Sequence, residues 1–170
     1  ISDIQAACDL FLPLYRQSKR GDGYVSLEVS PYLARETAGT LAEAERLWKW
    51  VDRPNLMIKI PATKEGLPAI TQAIRKGINI NVTLIFSIER YQEVMDAYLL
   101  GLEQRIEQGE PIDAIASVAS FFVSRIDTEV DDRLGDLVDR GKVLLVRARE
   151  LQGNLAIASA KLAYESHKNI

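Results

Sequence analysis

Cysteine and histidine are scarce in this sequence, which limits the kinds of site that it can form. The 170 residues contain one cysteine, Cys8, and one histidine, His167. A single cysteine excludes an intrachain disulfide and fits a reducing compartment, so we expect a cytoplasmic protein. Cys8 lies on an apolar helical face and is expected to be a small buried side chain. With so few such residues, neither a zinc site nor a Cys–His nucleophile pair is expected.

An excess of basic residues and long apolar runs are also missing. The net charge is −3, so nucleic acid is not an expected partner. No polybasic stretch suggests binding to a membrane, and no apolar run is long enough to span one. The sequence does not begin with Met, which we interpret as a piece of a longer polypeptide. The composition, 47% hydrophobic and 26% charged, is typical of a soluble globular protein, and we predict one domain over residues 1–170.

Four short apolar runs predict β-strands, and helical patterns separate them. Each run is bounded by glycine or proline. The runs are Tyr24–Val29, Leu56–Ile60, Ile78–Ile85 and Ala114–Val123. Because helical stretches connect successive strands, we expect parallel βα units, as in a (β/α)8 barrel or an open α/β sheet.

Capping residues predict where the helices begin and end. Thr40 and Glu43 have the spacing of a capping box, while Ser87 should open a long helix that Gly109 ends. Further helices are predicted from Ser2, over Ala69–Lys76, over Thr128–Arg140 and over Leu151–Lys168. Residues 141–146 fit a helix slightly better than a strand.

Polar side chains occupy one face of three predicted strands. Alternation places Glu28, Lys59, Asn81 and Thr83 opposite wholly apolar faces. Parallel strands covered by helices are usually apolar on both faces, because burying polar groups alone is costly. A buried salt bridge with neighbouring hydrogen bonds is one explanation, although such pairs stabilise a fold weakly. A polar site at converging strand ends accounts for more of these residues.

Lys59 is the residue that suggests a reaction. A lysine buried among Met57, Ile58 and Ile60 can lose its proton, and the neutral amine attacks carbonyl carbons to form a Schiff base. Glycine-rich phosphate loops are absent, and a single carboxylate on the strand faces argues against glycoside cleavage. A tight contact with an ionised carboxylate would keep the amine protonated. We therefore expect Glu28 to reach Lys59 through a water or to be only partly charged, and not to form a tight ion pair with it.

Four segments of the sequence together resemble the transaldolases. They are Asp22–Pro31, Ile58–Thr63, Gly77–Ser87 and Ala119–Arg125. The resemblance implies a class I aldolase on a (β/α)8 barrel. Its expected activity is transfer of a dihydroxyacetone unit from a ketose phosphate donor to an aldose phosphate acceptor. By the resemblance, this reaction would belong to the pentose phosphate pathway and need no metal ion and no cofactor.

The resemblance implies a role for each catalytic residue. Lys59 would form the Schiff base, and Glu28 and Thr83 would hold the water that shuttles protons during imine formation. Related small aldolases have a tyrosine where this sequence has Glu28, which favours transfer over simple aldol cleavage.

The resemblance also implies substrate contacts. Asn81 would bind the dihydroxyacetone moiety, and Ser120 and Arg125 would lie near hydroxyl and phosphate groups of the substrate. From the residues alone, Arg125 could instead bind a carboxylate such as Asp127.

The resemblance covers only the central part of such a barrel, about half of it. By comparison with the family, the chain begins at the helix before the third barrel strand and ends before the seventh, so it would hold strands three to six. No segment matches the first-strand aspartate, the second-strand asparagine or the seventh-strand arginine.

Three functional hypotheses therefore stand. The chain is the catalytic portion of a transaldolase, a catalytically incomplete structural half-barrel, or a related class I sugar-phosphate aldolase. A half-barrel exposes two sheet edges, which predicts either a homodimer or association with the missing barrel segments.

Overall fold

The computed structural model describes residues 1–169, in which helices follow the strands. The strands are β1 Val25–Glu28, β2 Leu56–Pro61, β3 Ile80–Ile85 and β4 Ser117–Phe121. The helices are α1 Ser2–Gln17, α2 Thr37–Val51, α3 Gly66–Arg75, α4 Ile88–Glu107, α5 Ser124–Asp139, α6 Leu145–Leu151 and α7 Leu155–His167, with a 3-10 turn at Pro31–Leu33. Within residues 1–169, no helix combines the length and the apolar character that crossing a bilayer requires.

The strands form one sheet in sequence order. The order is β1-β2-β3-β4, and β2 pairs in parallel with both β1 and β3. All four predicted strands are present with somewhat different ends, and parallel βα units of this kind make up a (β/α)8 barrel. The predicted α/β fold class is therefore confirmed.

The chain divides into two compact units. The first comprises Ile1–Thr83 and Glu93–Ser120, so it holds β1, β2 and most of β3 and β4. The second comprises Leu84–Gln92 and the residues from Phe121 onward, including α5, α6 and α7. One domain over residues 1–170 stays a prediction.

The core of the first unit lies between one sheet face and the helices that cover it. Ile58 and Ile60 of β2 and Ile70 and Ile74 of α3 are fully buried. Burying one such side chain stabilises a fold by about 1.5–3 kcal/mol. This apolar face leaves the opposite face of the sheet to the polar residues.

Buried asparagines fix the N-terminal ends of the strands. The Asn79 side chain donates to the carbonyls of Pro54 and Leu56, and its own carbonyl accepts from the Ala116 backbone at 2.9 Å. The Asn55 amide donates to the carbonyls of Cys8 and Gly23, both at 2.9 Å. Because a buried amide must find such partners, these bonds specify how β1, β2, β3 and β4 align.

The expected alternation fails at the end of β3. The sequence pattern placed Leu84 on the apolar face, but Leu84 is 39% exposed and Ile85 is fully buried instead. The φ of Leu84 is 61°, in the left-handed region. One residue in this conformation shifts the alternation by one position, at a cost of about 1–3 kcal/mol for a residue other than glycine.

The start of α2 differs from the expectation. The helix begins at Thr37, one turn earlier, so the predicted capping box is wrong. The Thr40 hydroxyl donates to the Leu33 carbonyl at 2.7 Å, and the Glu43 carboxylate accepts from the Ser30 backbone at 2.8 Å. Both side chains therefore hold the turn after β1.

The limits of α4 agree with the expectation. The Ser87 hydroxyl accepts a hydrogen bond from the Arg90 backbone at 3.2 Å, as an N-cap does. After the helix, Gly109 has a φ of 74° and its N–H returns to the Ile106 carbonyl. Glycine tolerates this conformation without a Cβ clash, which explains why the helix ends there.

The last predicted helix begins later than expected. Residues 141–146 contain no strand, and α6 begins at Leu145. Gly153, with a φ of 70°, separates α6 from α7, and its N–H donates to the Asp131 carboxylate at 3.1 Å. The helix expected over Leu151–Lys168 is therefore present as α7, but it begins at Leu155 because the left-handed Gly153 separates Leu151 from it.

Gly101 allows a close approach between α4 and α3 and provides a test of the packing. A Cβ at this position would lie 2.8 Å from the Ile74 side chain and from the Thr71 carbonyl. Alanine is otherwise favoured over glycine inside a helix by about 0.8–1.0 kcal/mol. We expect Gly101→Ala to lower the free energy of unfolding by about 1–3 kcal/mol, measured by urea denaturation with circular dichroism.

Gly135 of α5 is the matched control. A Cβ there meets nothing within 4 Å, so Gly135→Ala should raise the free energy of unfolding by about 0.5–1 kcal/mol. An equal gain at both positions would show that α3 and α4 are not packed as closely as described.

Candidate active site

The register of the sheet places three polar residues in one row. Glu28 of β1 lies opposite Lys59 of β2, and Lys59 lies opposite Asn81 of β3. Paired residues on neighbouring strands point to the same face and are separated by about 4.8 Å. Lys59 therefore has a carboxylate on one side and an amide on the other, all within the first unit.

The carboxylate of Glu28 approaches the amine without bonding to it. The distance from Lys59 Nζ to Glu28 Oε1 is 4.0 Å, and the two side chains are 30% and 54% exposed. This separation is longer than a hydrogen bond, and attraction between exposed charges is worth little. The geometry agrees with the expectation that the two residues form no tight ion pair.

Lys59 is less buried than its neighbours in the sequence suggested. Met57, Ile58 and Ile60 are all buried, yet the lysine side chain keeps 30% of its exposure. Alternation turns Ile58 and Ile60 to the opposite face, whereas Met57 shares the face of Lys59 and lies two residues nearer the N-terminal end of β2. The amine is therefore accessible to a ligand.

Thr83 adds a hydroxyl to the same face of the sheet. It lies two residues after Asn81 and opposite Pro61, and it is 2% exposed. Its carbonyl accepts a hydrogen bond from the Ala62 N–H at 2.8 Å. Its hydroxyl makes no hydrogen bond to any residue in 1–169. The hydroxyl oxygen is not fully enclosed, so it keeps some access to solvent and is available to a ligand.

Asn81 is held by two serines. Its Nδ2 donates to Ser26 Oγ at 3.1 Å, and its Oδ1 accepts from Ser120 Oγ at 2.8 Å. These bonds extend from β1 to β4 and bring Ser120 next to Asn81. Ser26 is the residue of this group that the sequence reasoning missed. It lies two residues before Glu28 on β1 and on the same face, but no local sequence signal indicates that it reaches Asn81.

Arg125 lies in the second unit, in the first turn of α5. Its guanidinium carbon is 4.8 Å from the centre of the Phe122 ring, and Phe122 stacks on Phe86. The alternative partner Asp127 instead accepts from the Ala156 N–H at 2.9 Å, at the start of α7. Arg125 therefore presents an exposed cation on an aromatic platform, and its contact with phosphate stays a prediction.

Other potentially reactive groups do not compete with Lys59. Cys8 is fully buried, as expected, and burial raises the pKa of its thiol with a smaller contribution from Asp9. The reactive thiolate form is therefore disfavoured. Across residues 1–169, no three His, Cys, Asp or Glu side chains are grouped so that they could hold a metal ion.

The unpartnered hydroxyl of Thr83 gives a test of whether it serves the fold. Thr83→Val keeps the shape but removes a hydroxyl that bonds to nothing in residues 1–169. We expect the free energy of unfolding to stay unchanged or to rise by up to about 1 kcal/mol. Thermal and urea denaturation measure this difference.

Thr71 provides the matched control. It is a buried threonine whose hydroxyl donates to the Ala97 carbonyl at 2.9 Å. Thr71→Val should lower the free energy of unfolding by about 0.5–1.5 kcal/mol, the net worth of one hydrogen bond. A comparable loss for Thr83→Val would mean that its hydroxyl stabilises the fold.

Comparison with known proteins gives consistent matches. The chain is 56% identical over 168 residues to a transaldolase of Thermobifida fusca and 55% identical over 169 residues to one of Parafrankia sp.; each match covers 99% of this chain and 44% of that protein. A transaldolase of Mycobacterium tuberculosis is 52% identical over 168 residues, with 99% and 43% covered. The chain thus spans about 44% of the length of the curated relatives that it matches.

A family model agrees with these relatives. The model described as Transaldolase/Fructose-6-phosphate aldolase matches residues 1–170. The resemblance found in the four sequence segments is thereby confirmed. The chain belongs to the transaldolase/fructose-6-phosphate aldolase family.

Proposed function

We propose that Lys59 forms a Schiff base with a ketose phosphate and that this chain carries the nucleophile of a transaldolase reaction. The observation that carries the proposal is the row of Glu28, Lys59 and Asn81 across three strands. An accessible amine beside a carboxylate and an amide suits covalent chemistry on a carbonyl. The matched relatives, each named a transaldolase, support the same reaction.

In the first step, the neutral Lys59 Nζ attacks the carbonyl carbon of the ketose. A C–N bond forms as the carbonyl π bond opens. The nitrogen loses one proton and the former carbonyl oxygen gains one, which gives a carbinolamine. A further proton on this oxygen releases it as water and leaves the protonated imine. Glu28, 4.0 Å from the amine, is the proposed proton donor and acceptor through a water held with the Thr83 hydroxyl.

In the second step, the protonated imine accepts the electron pair of the carbon–carbon bond that breaks. The aldose leaves as an aldehyde, and the dihydroxyacetone unit stays on Lys59 as an enamine. Asn81 is proposed to hold the hydroxyl groups of this unit. Addition to an acceptor aldehyde and hydrolysis of the imine complete the transfer.

The bond-breaking step also needs a base for the hydroxyl of the leaving aldose. Glu28 is the only carboxylate on the four described strands. The relatives are more than twice as long as this chain, and we place that base in their unmatched part. A chain that forms the imine without turning over substrate is therefore the alternative function.

The proposal also covers the substrates, the cellular compartment and the choice between transfer and aldol cleavage. The substrates are sugar phosphates of the pentose phosphate pathway, handled in the cytoplasm, with Ser120 near a hydroxyl and Arg125 near the phosphate. The family model also includes fructose-6-phosphate aldolases, so simple aldol cleavage is a second candidate reaction. Glu28 favours transfer, because the related small aldolases have a tyrosine at this position.

Association with further polypeptide is also proposed. Within residues 1–169, β1 and β4 form the outer edges of the sheet. In the second unit, Leu144, Val146 and Leu162 are 80%, 70% and 60% exposed. Unpaired edges and exposed apolar side chains favour a partner that covers them, either further barrel segments or a second copy of the chain.

Trapping the imine tests the proposal. The chain is incubated with fructose 6-phosphate and borohydride, and the reduced adduct is located by peptide mass spectrometry. We expect one adduct, on Lys59, which Lys59→Arg abolishes. Glu28→Gln should slow adduct formation by about 100-fold or more, because general acid–base catalysis contributes at least that much.

Lys64→Arg is the matched control, since Lys64 is an exposed lysine in the loop after β2. It should leave the adduct on Lys59 unchanged. Equal labelling of Lys59 and Lys64, or none on Lys59, would contradict the proposal.

A further inference from the structure

Ser26 contacts the site but has no role in the steps above. It is an exposed residue of β1, two positions before Glu28 and on the same face. Its Oγ accepts a hydrogen bond from Asn81 Nδ2 at 3.1 Å. Ser26 is thus directly bonded to the amide that is proposed to hold the dihydroxyacetone unit.

The bond between Asn81 and Ser26 crosses the strand that carries the lysine. Asn81 lies on β3 opposite Lys59 of β2. Ser26 lies on β1 opposite Met57, which is two residues closer to the N-terminal end of β2 than Lys59. Since β2 lies between β1 and β3, the Asn81 side chain extends across β2 on the face that carries Lys59. Ser26 thereby sets the direction in which the Asn81 side chain lies.

An asparagine amide needs such an anchor. The terminal torsion of asparagine is broad, so one contact leaves the amide plane free to rotate. Ser120 bonds to Oδ1 at 2.8 Å and Ser26 to Nδ2 at 3.1 Å, which fixes the plane at both ends. One N–H and one oxygen lone pair then remain free in a defined direction. A donor and an acceptor side by side match the hydroxyl groups of a polyol.

We propose that Ser26 is a positioning residue, which orients the Asn81 amide toward the ketose-derived unit bound to Lys59. The proposal rests on the proposed function of Lys59 and Asn81. Ser26 acts through Asn81 and not on the ligand. Its loss should weaken ketose binding while leaving imine chemistry at Lys59 intact.

The contact itself is tested first without any ligand. In the ¹⁵N-labelled chain, the side-chain NH₂ signals of Asn81 are assigned by their disappearance in Asn81→Ala. We expect Ser26→Ala to shift one of the two amide protons and to speed its exchange with water, while Ser26→Thr, which keeps the hydroxyl, restores both. Unchanged Asn81 signals in folded Ser26→Ala would overturn the proposal.

Ser117→Ala is the matched control for this measurement. Ser117 is a serine of β4, three residues before Ser120, and its hydroxyl donates to the Ile80 carbonyl at 2.9 Å. Its removal takes away one serine hydroxyl from the same sheet without touching Asn81. The Asn81 signals should stay where they are, and melting curves confirm that each variant is folded.

The consequence for the ligand is tested by borohydride trapping at increasing concentrations of fructose 6-phosphate. Ser26→Ala should raise the half-saturating concentration about fivefold, the worth of one neutral hydrogen bond, with the maximal trapping rate unchanged. In an Asn81→Ala background, the same substitution should change nothing further.

The possible outcomes separate the two proposals. A fivefold effect of Ser26→Ala in both backgrounds would mean that Ser26 contacts the ligand itself, which contradicts a positioning role. Absence of any Lys59 adduct in the unsubstituted chain would contradict the proposed function. The NMR result still decides whether Ser26 holds the Asn81 amide.

Discussion

The parallel register of β1, β2 and β3 is the constraint on which the candidate site depends. It places Glu28, Lys59 and Asn81 in one row and turns all three to the same face. A slip of one residue would send Lys59 into the apolar core, since strand side chains alternate. Two features oppose such a slip. Ile58 and Ile60 are fully buried on the other face, and the Asn79 amide bonds to the backbone of Leu56 in β2 and of Ala116, the residue before β4.

Two features at the end of β3, in Thr83 and Leu84, do not contribute to the stability of the sheet. Thr83 is almost fully buried although its hydroxyl bonds to nothing in residues 1–169, and the next residue, Leu84, has a left-handed backbone. The left-handed backbone of Leu84 is unfavourable for a strand, and the Thr83 hydroxyl forgoes a hydrogen bond that would stabilise the fold. They occur together at the C-terminal end of β3, the end at which parallel α/β folds assemble their active sites. A free hydroxyl and a strained backbone are common at functional sites and uncommon in a packed core.

Much of the fold was predictable because its signals are local. Apolar runs bounded by glycine and proline identified the four strands, and Ser87 and Gly109 marked the limits of α4 through capping interactions between residues close in sequence. The same local reasoning failed for Thr40 and Glu43, which bond to the turn after β1 and not to their own helix end. It also placed the start of the last helix too early, at Leu151 and not at Leu155, because a carboxylate of α5 stabilises a break at Gly153.

The site itself was predictable only in part. Alternation along each strand was enough to group Glu28, Lys59, Asn81 and Thr83 on one face. The exposure of Lys59 was not foreseen, because it depends on what covers that face. Ser26 was missed because its bond to Asn81 joins positions 55 residues apart and crosses an intervening strand. Contacts of this kind are set by tertiary structure, which no local sequence signal reports.

The central claim is that the row of Glu28, Lys59 and Asn81 is built around an imine-forming amine. A crystal structure of the chain after reduction with borohydride in the presence of fructose 6-phosphate tests it most directly. The account predicts continuous density from Lys59 Nζ to the ligand, with ligand hydroxyls within hydrogen-bond distance of the Asn81 amide. An unmodified Lys59, or a ligand attached to Lys59 that points away from Asn81, would contradict it.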